Sequence, residues 1–130
     1  MPTFSAIGLV VSDMSRSVSL YRALGFEVPD GAEEAPHVDI SLAGGLRLML
    51  DTQDTIRSFD PGWVSPEGSR AALAFECTDP ADVDATYERM IAVGFLGHLP
   101  PWNAFWGYRY ACLHDPDGNG VDLFAALADQ

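Results

Sequence analysis

Positive charge is what this sequence has least of: 7 Lys and Arg side chains stand against 19 Asp and Glu, a formal net charge of −12. Such a chain repels phosphate backbones and anionic lipid, which argues against nucleic-acid and membrane partners and favours cationic ligands. The same acidity also serves plain solubility, so alone it identifies no ligand. Cysteine is scarce as well. Cys77 and Cys112 each sit inside an apolar, strand-like run, a poor disulfide framework, and both read as reduced core residues. No run approaches about 18 consecutive apolar residues. The opening Met1-Pro2-Thr3-Phe4 lacks the basic-then-apolar pattern of a signal peptide, so a cytoplasmic setting is the expectation. Segments of low hydrophobicity and high charge are missing too: with 48% hydrophobic and 20% charged residues, the whole chain is expected to fold.

What is present is a pattern given twice. A chain of 130 residues buries about two thirds of its unfolded surface as one domain. Residues 6–11 are apolar and β-branched, and Ser12-Asp13 follows as a helix N-cap. Met14, Val18 and Tyr21, widened by Leu20 and Leu24, form a helical stripe that Gly25 ends. Short strands are then expected at Phe26-Glu27-Val28, at 37–42 with strict alternation, and at 46–50. The second half repeats this order. Residues 73–77 read as a strand, Asp79 caps a helix with Pro80 in its first turn, and Val83, Tyr87, Met90 and Ile91 make the stripe. Strands follow at 95–99, 108–113 and 121–126, the last two joined by Asp115-Pro116-Asp117-Gly118-Asn119-Gly120. Each half is therefore βαβββ: a first module over about 1–52, a linker over 53–69 carrying Phe59 and Trp63, and a second module over 70–130. The expected fold is α+β, a curved, mostly antiparallel eight-stranded sheet around a cavity with the helices outside.

Three stretches together resemble the vicinal-oxygen-chelate superfamily of glyoxalases, bleomycin-resistance proteins and extradiol dioxygenases. They are residues 7–26, ending Tyr21-Arg22-Ala23-Leu24-Gly25-Phe26; residues 73–79; and the closing hairpin from Asp115 to Phe124. The resemblance covers almost the whole chain and implies the paired-module fold. It also implies metal binding through His, Gln or Glu at four cavity positions, and here the sequence departs from the family. Those positions are Ala6, Met49, Ala72 and Asp122, which leaves one oxygen donor. Tight transition-metal sites need three or more N, O or S donors, so no metal and no other cofactor is expected.

Strand parity sends Ala6, Gly8, Ala72, Ala74 and Glu76 toward the cavity and the more apolar Ile7, Leu9, Leu73 and Phe75 toward the helices. His37 and Asp39 share a strand face, either looking into the cavity with Asp122 and Glu76 or lying solvated on an open sheet. His98 and His114 sit near turns and read as surface residues. The segment from Pro100 to Tyr110 holds the rings Trp102, Phe105, Trp106, Tyr108 and Tyr110. Its prolines exclude a helix, and its rings either clamp a planar or cationic ligand or cover the sheet or a dimer contact. Met49 and Phe124 complete the candidate ligand contacts. Arg109 either pairs with Glu76 or Asp122 or anchors an anion. The leading expectation is a metal-independent homodimer that binds, and sequesters, an aromatic or cationic small molecule. The alternative is a lyase, isomerase or other enzyme with Asp122 or Glu76 as general base.

Overall fold

A computed structural model describes residues 1–128, which divide into two compact units, one over Met1–Ser65 and one from Pro66 onward. The first holds strands β1 (Ala6–Val11), β2 (His37–Ser41) and β3 (Arg47–Thr52) with helices α1 (Met14–Ala23) and α2 (Gln53–Phe59). Its sheet runs in the order β1-β3-β2, β1 parallel and β2 antiparallel to β3. The second holds β4 (Ala72–Glu76), α3 (Pro80–Ala92), β5 (Leu96–Asn103), β6 (Tyr108–His114) and β7 (Gly120–Ala126), ordered β4-β7-β6-β5.

The duplication read in the sequence reappears in the helix ends. Asp13 accepts the Arg16 amide at 3.2 Å and Asp79 the Asp82 amide at 2.8 Å, each satisfying a donor that the first turn leaves free. At the far ends, Phe26 N–H donates to the Tyr21 carbonyl and Phe95 N–H to the Met90 carbonyl, both at 3.1 Å. Gly25 and Gly94 stand at the left-handed turn, with φ of 102° and 98°. In each unit one sheet face packs under its helix. Val18, Leu20 and Tyr21 of α1 are buried in the first unit, as are Val38, Ile40, Leu48 and Leu50 of its sheet. Val83 and Met90 of α3 are buried in the second, with Ala111, Leu113, Val121 and Leu123. The closing turn is held by the buried Asp115, whose carboxylate accepts the amides of Asp117 at 2.9 Å and Asn119 at 2.8 Å.

Two expectations need correction. Phe26-Glu27-Val28 is not a strand, so the described residues form seven strands in two sheets instead of one eight-stranded sheet. The Phe26 amide is taken up by the helix cap, its ring stacks on Tyr21 at 6.0 Å, and Pro29 has no N–H to give a ladder. The Pro29 carbonyl accepts from Arg22 at 3.3 Å, and Gly31 then turns the chain into a short 3₁₀ turn, Ala32–Glu34. The segment expected as a linker begins with α2, capped by the Thr52 hydroxyl accepting from the Thr55 amide at 3.2 Å. Three of the five strand pairings are antiparallel. Among the described residues no helix is long and apolar enough to cross a membrane.

Candidate functional site

Alternation fixes what the uncovered face of the second sheet carries. On β6, Ala111 and Leu113 go to the helix side and are buried, so Tyr108, Tyr110, Cys112 and His114 go to the open side. On β7 the same parity puts Asp122 and Phe124 there, and on β4 it puts Ala72, Ala74 and Glu76. Register completes the rows: Ala74 lies beside Asp122, Asp122 beside Cys112, Phe124 beside Tyr110, and Tyr110 beside Trp102.

The rings of this face meet. Trp102 and Trp106 stand edge-on to Tyr110, with centroids 5.6 and 5.4 Å away, and Phe124 stacks on the other side of Tyr110 at 6.4 Å. Amid them the Tyr110 hydroxyl donates to Asp122 Oδ2 at 2.6 Å, a short charge-assisted bond. Burial and the Asp122 charge raise the Tyr110 pKa, so the phenol stays protonated. Burial, then the charge and hydrogen bond of Asp122, push the Cys112 thiol up to about 11. Leu99, Pro100, Pro101 and Trp102 line an apolar pocket of about 370 Å³ at the β5 edge of the same sheet.

The open face of the first sheet is built differently. His37 Nδ1 lies 2.5 Å from Asp51 and its Nε2 3.2 Å from Asp39, while Arg47 donates to Asp39 at 3.3 Å. Carboxylates at both ring nitrogens need a proton on each, and the Asp51 bond, with the Asp39 charge behind it, raises the His37 pKa despite some desolvation. Met49 shares this face, beside Gly8 and Asp39.

The sequence candidates thus fall into separate groups. Trp102, Trp106, Tyr110, Phe124 and Asp122 come together on the second sheet. Phe105 touches Trp106 edge-on at 5.0 Å but is 96% exposed at the hairpin tip. Glu76 lies on the same face of the second sheet and is exposed. His37, Asp39 and Met49 belong to the first sheet. Arg109 pairs with neither Glu76 nor Asp122. Parity turns it to the helix side, where it meets Asp84 of α3 at 2.9 Å. Two features escaped the sequence. Cys112 is a half-buried neighbour of Asp122 instead of a core residue, and His98 and His114 stack at 4.4 Å. The second depends on a β5–β6 ladder with register shifts, which periodicity alone does not reveal.

The positions where the resemblance places metal ligands hold the methyls of Ala6 and Ala72, the thioether of Met49 and the carboxylate of Asp122, one oxygen of which Tyr110 occupies. That donor set does not fit a resident divalent ion of the family's kind.

Comparison with known proteins bears on the fold. No curated protein matches the chain significantly. The chain is similar to a glyoxalase/bleomycin resistance protein/dioxygenase from Nocardioides, at 27% identity and TM-score 0.77 over 100% of this chain and 87% of that one. It shares its fold with lactoylglutathione lyase from Agrobacterium tumefaciens, at 20% identity and TM-score 0.68 over 95% and 92% of the two chains. TioX from Micromonospora sp. ML1 is alike at 23% identity and TM-score 0.64 over 97% and 100%. The family model of the glyoxalase/bleomycin resistance protein/dioxygenase superfamily matches residues 3–123, and the chain belongs to that superfamily.

Proposed function

We propose that this chain is a metal-independent small-molecule binding protein of the glyoxalase/bleomycin-resistance type, which sequesters an aromatic or cationic compound on the open face of its second sheet. The observation that carries the reading is Asp122 held at 2.6 Å from the Tyr110 hydroxyl with Trp102, Trp106 and Phe124 set around that phenol. Ring faces attract a cation and bury flat apolar area at low entropic cost, and a carboxylate beside them favours a protonated nitrogen. The apolar pocket at Trp102, about 370 Å³, lies at the small end of ligand-site sizes of about 300–1,000 Å³ and suits a compact planar group.

The enzyme alternative has less behind it. The Tyr110 phenol already donates to Asp122 Oδ2 at 2.6 Å, which takes up one of the oxygens a general base would use. Glu76 is exposed. A homodimer acting in the cytoplasm completes the reading. Light scattering tests the pairing, since a mass that stays near 14.1 kDa at every concentration contradicts it.

The functional test is a thermal-shift screen of cationic antibiotics, aromatic metabolites and divalent metals. A ligand that binds only the folded state raises the unfolding midpoint. Planar cations are expected to raise it and metals to leave it unchanged. A metal hit with one ion bound per chain overturns the reading.

A further inference from the structure

Arg109 takes no part in the ligand reading, yet it sits between Tyr108 and Tyr110, two rings of the aromatic face. Its own side chain goes to the other face of the sheet, and there it forks. Nε and Nη2 donate to the two carboxylate oxygens of Asp84 on α3 at 2.9 and 3.2 Å, while Nη1 donates to the Asn103 side-chain oxygen on β5 at 3.1 Å. One planar group ties a helix to two strands, a geometry that a lysine ammonium does not reproduce.

The ladder that this fork braces is irregular. The register of β5 against β6 shifts between Gly97 and Leu99 and again between Leu99 and Trp102. Bulges disrupt the local hydrogen bonding and increase twist, and Pro100 and Pro101 offer no N–H at all, so backbone bonding fixes this stretch weakly. Beyond the second shift the ladder holds two registered pairs, Trp102 with Tyr110 and Asn103 with Arg109, before the hairpin closes with the Ala104 N–H donating to the Tyr108 carbonyl at 2.8 Å. The guanidinium thus adds a side-chain clamp to the pair next to Trp102 and Tyr110.

We propose that Arg109 is the positioning residue of the aromatic face: by holding Asn103 and Asp84 together it steadies the end of β5 against β6 and α3 and so keeps Trp102 packed against Tyr110. The consequence for binding rests on the ligand reading above; the clamp itself does not. Stability is a poor measure of it, because Asp84 is 43% exposed and such pairs contribute little to folding.

Near-UV circular dichroism of the free protein, in a Trp63→Phe background, reports the fixed packing of Trp102, Trp106 and Tyr110. Arg109→Gln and Asn103→Ala should each lose much of that band with the far-UV spectrum intact, and should bind acridine orange, a planar cation, about tenfold more weakly. Asn103→Ala keeps the Arg109–Asp84 pair, so it decides the matter even if Arg109→Gln fails to fold. Arg22→Gln, which removes an ion pair of the first unit, should change neither readout. A full near-UV band with wild-type affinity in the clamp variants overturns the proposal. If Trp102→Ala binds the dye as tightly as the wild type, the ligand reading fails instead. The clamp is then judged by the band alone, whose loss supports it and whose retention overturns it.

Discussion

Gly8, Met49 and Asp39 form one rung of the first sheet, and Ala74, Asp122 and Cys112 form the matching rung of the second. Below these rungs the two units agree: an Asp-capped helix, a glycine at its end, and Val and Leu buried under it. Above them they part. The first unit pairs its charges with one another, His37 with two carboxylates and Arg47 with one of those. The second carries rings and a carboxylate held by a phenol. Repetition preserves what the core requires, since a changed helix-side residue leaves a cavity. The uncovered face is free to diverge, and the chemistry that can hold a ligand collects where the charges have not cancelled each other.

The largest effects test the likeness. Leu50→Ala and Leu123→Ala remove equivalent fully buried side chains, and each should cost about 2–5 kcal/mol in denaturant unfolding. A large disparity would mean that the two cores are not equivalent. The next test concerns the difference. Trp102→Ala should weaken binding of a planar cation by about 1–3 kcal/mol with little change in unfolding midpoint. A fallen midpoint with unchanged binding would make these rings structural cover. The smallest effect belongs to His37. Its folded-state pKa lies above the ordinary 6.5, so its contribution is fully present below about pH 6.5 and fades as pH rises through the folded value. Stability measured from pH 6 to 9 should decline less steeply in His37→Asn, and an unchanged slope would show that the carboxylate clamp contributes nothing.

The repeat, both helix caps, the closing hairpin and the strand parity were legible because each rests on local chemistry: Asp before a stripe, glycine after it, alternation within a strand. Arg109 was expected to pair with Glu76 or Asp122 or to anchor an anion, and its actual partner Asp84 was out of reach because it lies 25 residues away on α3, where no local pattern connects the two. The strand expected at Phe26-Glu27-Val28 failed because tertiary contacts won: Tyr21 and Arg22 hold the segment against α1. The His98–His114 stack was out of reach because it needs the shifted register of β5. The aromatic segment was readable as a cluster of rings, whereas its convergence on one phenol depends on pairing between strands.

The most direct test of the ligand reading is a fluorescence titration of wild type and Asp122→Asn with acridine orange and with a neutral planar analogue of similar size. The substitution nearly preserves shape and removes the charge beside the rings. The account predicts tryptophan quenching by both compounds in the wild type, and a loss of about tenfold in affinity for the cation alone in Asp122→Asn, near 1.4 kcal/mol. Equal affinity of the two proteins for the cation would contradict it.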